Sequence, residues 1–301
     1  MSLFRRTTNP ALRQGSALEE AVIYLVLSLL TIASAIPIVH VLSISLSNGN
    51  EAAQMGLMLW PKGFTLDSYL FVLKGPALLR SYGVTIFITV VGTALNLFLT
   101  ITAAYALSRR DLPGRGVMLI FIVITMVFDA GIIPGYMLIR NLGLLDKLWA
   151  MILPGAVSAF NLILMRNFFE ELPPSIIESA RLDGASEFRI LTSIVVPLSG
   201  PGIATIGLFY AVGHWNEFFR GIFYITDPTK WPLQVLLRSV VVMADLNQLG
   251  GSNRDMYGAL TINQLTIRAA TVMAAIIPIA VLYPFLQRYF VKGIVLGAEK
   301  G

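Results

Sequence analysis

An all-α protein that crosses a membrane about six times is the fold class this sequence predicts, and three features predict it. Hydrophobic residues make up 56% of the 301-residue chain and charged residues 13%, against roughly 25% charged in a soluble domain. Residues 21–50 carry no Asp, Glu, Lys or Arg, a run longer than the ~20 residues that cross ~30 Å of hydrocarbon. Further apolar runs follow, separated by polar intervals where Pro, Gly, Arg and Lys collect. The chain lacks cysteine, which removes disulfide scaffolds, thiolate metal sites and cysteine nucleophiles. A net charge of +5 does not point to nucleic acid, because the basic residues lie at the ends of apolar runs rather than on one face.

Residues 1–20 form a polar arm with Arg5, Arg6 and Arg13. The first span begins at Ala21. Ala33-Ser34-Ala35 imitates a signal-peptidase site, but the run stays apolar to Leu46 and follows Glu19 and Glu20, so an uncleaved anchor is expected. Residues 48–80 read as an external loop with one interfacial helix over Leu66–Leu73. The second span covers about Ser81–Ser108 and runs into Arg109, Arg110 and Arg115 around Pro113-Gly114. The third and fourth, about Gly116–Leu138 and Leu148–Phe169, contain Pro134 and Pro154, tolerated where neighbours satisfy the freed carbonyls. A fifth covers about Pro201–Ile225. Residues 226–265 read as a second external loop with a turn at Gly250–Asn253, and the sixth span covers about Thr266–Phe290.

Six spans put both termini on one side. Twelve of the 22 Lys and Arg fall in the arm, the loop after span two, the interval before span five and the tail. The other ten lie mostly in the two long loops, which weigh less, so the termini are expected in the cytoplasm. No repeat, low-complexity tract or linker divides the chain.

The interval before span five holds Glu178-Ser179-Ala180-Arg181-Leu182-Asp183-Gly184 and, after nine residues, Ile194-Val195-Val196-Pro197. Ser175 and Glu178 have the spacing of a capping box, Pro173 and Pro174 bar helix upstream, and Gly184 suits a left-handed stop. A short surface helix over Ile176–Asp183 is predicted, about 12 Å long. A helix this short is unstable alone. Ile176, Ile177 and Ala180 give it an apolar side and Glu178, Arg181 and Asp183 a charged rim, which suits a partner's groove.

These residues resemble the EAA motif of permease subunits of ATP-binding-cassette importers, with Ser179 for the first Ala and Val196 for the Leu. The resemblance runs from about Ser81 to the C-terminus. It is strongest to the carbohydrate-uptake, oligosaccharide and maltose-type branch, through Trp215-Asn216-Glu217-Phe218 and the tail Tyr289-Phe290-Val291-Lys292-Gly293. It implies a type I ABC importer transmembrane fold in a bacterial inner membrane. It also implies a second homologous permease, two ATPase subunits that bind ATP and Mg, and an extracytoplasmic solute-binding protein. Residues 170–200 would be the coupling loop, with Glu178, Ser179, Ala180, Asp183 and Gly184 at the joint to the ATPase, and residues 248–263 would reach the binding protein. On this reading residues 1–80 comprise arm, first span and external loop, and 81–301 the transmembrane domain.

No G-x-x-x-x-G-K-[ST] loop is present, so nucleotide hydrolysis would belong to another polypeptide and this chain would hold no cofactor. No Ser-His-Asp or paired-carboxylate grouping has a usable spacing for an enzyme. His40 and His214, in different spans, read as a metal pair or as isolated hydrogen-bonded residues. Asp129 and Glu217 lie inside predicted spans, about 21 and 24 Å from the ends marked by Arg115 and Pro201, and ionisable residues there usually face a polar path. Tyr210, Trp215 and Asn216 add the aromatic faces and hydrogen-bonding groups that sugars need, so with Asp129 and Glu217 they are the candidate path. The alternative is that Glu217 and Arg220, at i and i+3, neutralise each other while Trp215 sits in the aromatic belt. The function expected is a permease for an oligo- or polysaccharide, uronate of the alginate type or neutral. A six-span secondary transporter or channel for a polar solute is the rival, although the inverted repeat common in such carriers is not seen; an intramembrane enzyme is a more distant one.

Overall fold

The computed structural model describes residues 17–53, 56–242 and 262–298, with residues 17, 18 and 282–298 by backbone alone. Every regular element among them is helical. The chain runs through α1 (Ala17–Ser45), α2 (Gly49–Ala52), α3 (Asp67–Lys74), α4 (Pro76–Ser108), α5 (Arg115–Val127), α6 (Ile132–Asn141), α7 (Trp149–Ile152) and α8 (Ala159–Glu170). It continues through α9 (Pro174–Leu182), α10 (Glu187–Ile190), a π-helical turn Leu191–Val195, α11 (Val196–Leu198), α12 (Gly200–Trp215), α13 (Phe219–Tyr224), α14 (Leu233–Val241) and α15 (Gln264–Ala298). A helix, α3, stands where one was expected over Leu66–Leu73. Most of the segment 248–263, and the arm up to Ser16, lie outside the described residues.

Among the described residues three helices are long and apolar enough to cross a membrane unbroken: Glu19–Ser45 within α1, α4, and Gln264–Val281 within α15. The other three expected spans are not single helices: bends divide the third and fourth, and the fifth ends early. Residues 116–138 were expected to be one helix, but α5 and α6 meet at 114°. The break is Phe128–Gly131, where the Asp129 carboxylate accepts the Gly131 N–H at 2.6 Å and Gly131 takes φ 84°, open to glycine. Pro134 then falls in the first turn of α6, where its missing N–H leaves no bond unmade. The fourth span bends by 53° after the 3-10 turn Leu153–Gly155 that contains Pro154. The fifth was expected to reach Ile225, but α12 stops at Trp215 and α13 follows separately. Residues Glu187–Leu198 turn into α12 at 84°.

The chain divides into two compact units, Met1–Tyr69 with Leu260–Met273, and Leu70–Ala259 with Ala274–Gly301. In the first, α1 exposes apolar side chains all round, as a helix bathed in lipid does, and only its C-terminal end packs, with Ile44 against Ala52, Met58 and Ala269. His40 accepts the Met58 N–H at 3.0 Å and is structural.

The second unit is organised on α4. Its buried residues Ile88, Gly92, Asn96, Thr100 and Ala104 recur every four residues and form one face. That face takes α12 and α8, and small residues let membrane helices approach closely. Gly92 is the tightest point, since a Cβ there would lie 2.5 Å from Nε2 of His214. Two threonines of α4 are paired across this contact: Thr85 Oγ1 accepts the Leu233 N–H at 2.8 Å, and the Thr100 and Tyr210 hydroxyls are 2.7 Å apart. Towards its C-terminus α4 joins Leu162, Met165 and Phe169 of α8, Ile177 and Ala180 of α9, and Ile190 in one apolar core. Elsewhere Asp146, at φ 57°, ties two loops: its carboxylate accepts the Thr226 N–H and hydroxyl at 2.6 Å each and the Asp227 N–H at 3.0 Å. The Thr226 hydroxyl above all, then the two backbone N–H groups, hold the Asp146 carboxyl below its ordinary range.

Two outcomes follow. Gly92→Ala should lower the thermal midpoint of the purified protein, by about 1–3 kcal/mol of overpacking. Gly83→Ala on the same helix, where a Cβ meets nothing within 4 Å, should leave it unchanged or raised. Asp146→Asn keeps a residue that tolerates the left-handed backbone, so it isolates the charge. Because the folded pKa of Asp146 is depressed, its contribution is present above the ordinary carboxylate value and is lost as pH falls through the folded one. The variant's melting midpoint should therefore be below wild type at pH 7, and the gap should close in strongly acid buffer.

Candidate functional site

The motif helix is α9, and its start differs from the expected capping box. Pro173 is the N-cap without a side-chain bond and Pro174 opens the helix, so Ser175 and Glu178 lie inside it and Glu178 does not cap it. The Ile176 N–H bonds the Pro173 carbonyl at 3.2 Å. The end is as expected: Gly184 has φ +77°, its N–H bonds the Arg181 carbonyl and the Ala185 N–H bonds the Ala180 carbonyl, both at 3.0 Å. These two bonds are a Schellman closure.

The helix is two-faced. Ile177 and Ala180 sink into the core made by α4 and α8, whereas Glu178, Ser179, Asp183 and Gly184 are exposed. Beside them Leu182 is 89% exposed and Phe188 73%, large apolar groups left open on a polar loop. Charges fix this loop to the end of α4. Glu187 accepts the Tyr105 hydroxyl at 2.5 Å and Arg181 Nε at 2.7 Å, and Arg109 hydrogen-bonds the same Tyr105 hydroxyl with its guanidinium 4.2 Å over the ring. Glu170 of α8 likewise joins Arg166 at 2.7 Å and Arg115 of α5.

A second site lies in a cavity of about 580 Å³ among α4, α8, α12 and the turn before α8. Of the expected path residues it contains Tyr210 and Glu217; Trp215, Asn216 and Asp129 do not line it. Asn216 is exposed and donates to the Val212 carbonyl at 3.0 Å, and Trp215 is half-buried. Asp129 is exposed in the α5–α6 break, so the structure does not bring it together with Glu217 inside a helix. The Glu217–Arg220 pair does form, at 2.8 Å, and Glu217 also accepts the Arg220 N–H at 3.1 Å. Yet both residues line the cavity, so pairing and path are compatible.

Sequence reasoning missed Asn96, Ser158 and Asn161 here and gave His214 no place in the path. The Asn96 amide nitrogen donates to the Gly155 carbonyl and to His214 Nε2, both at 3.2 Å. The polar lining of amides, hydroxyls, one carboxylate and one guanidinium suits a polyhydroxylated solute. Nothing in it forms a nucleophile with an oriented base.

Residues 87–295 match the family of the inner membrane component of binding-protein-dependent transport systems. The chain is 46% identical over 266 residues to Protein LplC of Bacillus subtilis, covering 88% of this chain and 89% of that one. It is 42% identical over 282 residues to the polygalacturonan/rhamnogalacturonan transport system permease protein YtcP of the same organism, covering 94% and 98%. Among solved structures, it superposes with TM-score 0.83 and 34% identity on a chain of a bacterial ABC transporter involved in the import of the acidic polysaccharide alginate, covering 96% of this chain and 100% of that one. The chain therefore belongs to the family of inner membrane components of binding-protein-dependent transport systems.

Proposed function

We propose that this permease carries an acidic oligosaccharide inward and is driven through α9 by ATPase subunits that bind ATP and Mg. It is a permease subunit of a carbohydrate ABC importer, not an enzyme. The acidic substrate class rests on the polygalacturonan and alginate named for two of its relatives. Its partners are a second permease, two ATPases and an extracytoplasmic binding protein. The excess of basic residues in the arm, the motif loop and the tail supports cytoplasmic termini and a cytoplasmic α9.

The observation that carries the coupling role is the two-faced build of α9, anchored by Ile177 and Ala180 and offering Leu182 and Phe188 outward. Burying a Leu or Phe contributes about 1.5–3 kcal/mol, so this face favours a docked partner. Glu178, Ser179 and Asp183 surround it with hydrogen-bonding groups. Both ends are fixed, one by Pro173-Pro174 and the other by the Gly184 closure, so a push on α9 moves it as a rigid piece.

Gly184→Val tests this directly. A Cβ at Gly184 meets nothing within 4 Å, so the variant acts through backbone strain alone, roughly 1–2 kcal/mol for a left-handed residue. In the reconstituted importer it should hydrolyse ATP with little import, or bind the ATPase weakly, whereas Leu198→Val should be mild. Full import by Gly184→Val would remove α9 from the mechanism. Uptake that persists when ATP is depleted would replace the importer with a secondary carrier.

A further inference from the structure

A smaller cavity of about 250 Å³ lies against α13 and α14. Its apolar walls are Ile222, Ile225, Val235 and the Trp231 ring, and its polar groups come from Thr226, Ser239 and Arg238. All but one of these groups are already committed. The Thr226 hydroxyl donates to Asp146 at 2.6 Å, the Ser239 hydroxyl to the Leu236 carbonyl at 2.7 Å and the Trp231 N–H to the Ile225 carbonyl at 3.3 Å. Arg238 makes no hydrogen bond or ion pair among the described residues. The two carboxylates beside Thr226, those of Asp146 and Asp227, are engaged by Thr226 and by Lys230. The free charge at this wall is therefore the guanidinium's.

A ligand that satisfies such a cavity is apolar along most of its length and anionic at one end. Sugar hydroxyls would be left unpaired against these side chains, at a cost that the polar cavity around Glu217 does not impose. The space is also smaller than the ~300–1,000 Å³ that encloses a whole small molecule, so it takes one chain of a larger amphiphile.

Depth points to the bilayer as the source. The Leu233 N–H that opens α14 bonds Thr85 of α4 at 2.8 Å. Thr85 lies 23 residues, about 34 Å, from Ser108, after which Arg109 and Arg110 mark one membrane surface. Hydrocarbon is ~30 Å thick, so the start of α14 is at headgroup level on the opposite surface, where Trp and Arg collect. Val241 and Val242, three and four residues after Arg238 and so on its side of the helix, are 38% and 72% exposed. Lipid covers such a surface more readily than water does.

We propose that this cavity binds an anionic phospholipid of the leaflet opposite the motif loop, with Arg238 on the headgroup phosphate and an acyl chain against Ile222, Ile225 and Val235. A guanidinium matches two phosphate oxygens with parallel N–H bonds, and no free carboxylate stands beside it to favour the quaternary amine of a zwitterionic head. The lipid would brace α13 on α14 where they are closest, at Gly221, whose Cβ would lie 2.7 Å from Val235. This site goes beyond the transport reading and does not depend on it.

The test uses the intact importer in nanodiscs, with phosphatidylglycerol that has a photoactivatable diazirine in one acyl chain and a phosphatidylcholine analogue of the same chains. Crosslinked peptides are read by mass spectrometry. In wild type, phosphatidylglycerol should label residues 222–235 and the zwitterionic analogue should label them several-fold less. Arg238→Gln should raise the phosphatidylglycerol concentration for half-maximal label about tenfold, the loss of one charge-assisted contact, and Arg238→Lys should keep most of the binding. Lys147→Gln removes an exposed cation that does not line the cavity, so it should leave the label unchanged. Equal label from the two lipids, undiminished label in Arg238→Gln, or the same loss in Lys147→Gln would overturn the site. Displacement of the label by soluble glycerol phosphate would overturn it in favour of a free anion, and wild type without label on this segment would give the face to a protein partner.

Discussion

The close packing of α4 on α12 is the constraint on which the rest of the second unit depends. Gly92 gives up its side chain so that His214 can reach Asn96 one turn away, and Thr100 meets Tyr210 one turn further. In hydrocarbon these polar groups have no water to fall back on, so they hold the two helices in one register. The same helix ends at Tyr105 and Arg109, which hold Glu187 and with it the loop after α9. Asn96 and Arg109 are thirteen residues apart, about 20 Å along a helix. One continuous element therefore touches both the cavity and the motif loop.

That continuity gives the coupling we propose a physical route. A load on α9 passes into α4 and α8 through the core around Ile177 and Ala180, and into α4 again through Glu187. The route is a set of contacts with two ends, and loss of its residues should separate hydrolysis from transport. The bent spans fit the same picture. Breaks at Asp129–Gly131 and Pro154 leave backbone that only a protein interior or a polar path can satisfy, and Pro154 lies at the cavity wall.

Much of this was legible in the sequence where the signal is local. Composition and run length located the three unbroken spans and the apolar stretches that the structure bends, and Pro173-Pro174 with Gly184 bounded α9 to within two residues at either end. The capping box failed for an equally local reason: two prolines need no cap because Pro174 has no N–H to satisfy, so the helix began before Ser175. The bends were hidden because Gly116–Leu138 is apolar on average; Asp129, Gly131 and Pro134 stand there as a turn signal that hydropathy averages away. Asn96 and His214 are separated by 118 residues, and no spacing rule joins them. Their only trace is a polar side chain in an apolar run. Glu217 and Arg220 were visible as a pair, but that the pair lines a cavity depends on Gly155, which carries no chemical signal of its own.

On the proposed coupling, force enters at α9 and reaches the cavity through the Tyr105–Glu187–Arg181 cluster. The most direct measurement is the number of ATP hydrolysed per saccharide imported by the reconstituted complex containing Glu187→Ala. Removing that carboxylate breaks its bonds to Tyr105 and Arg181 and leaves the lining of the cavity unchanged. The ATPase subunits should stay bound and active while ATP consumed per saccharide rises several-fold. A wild-type ratio in that variant, at equal yield of complex, would contradict it.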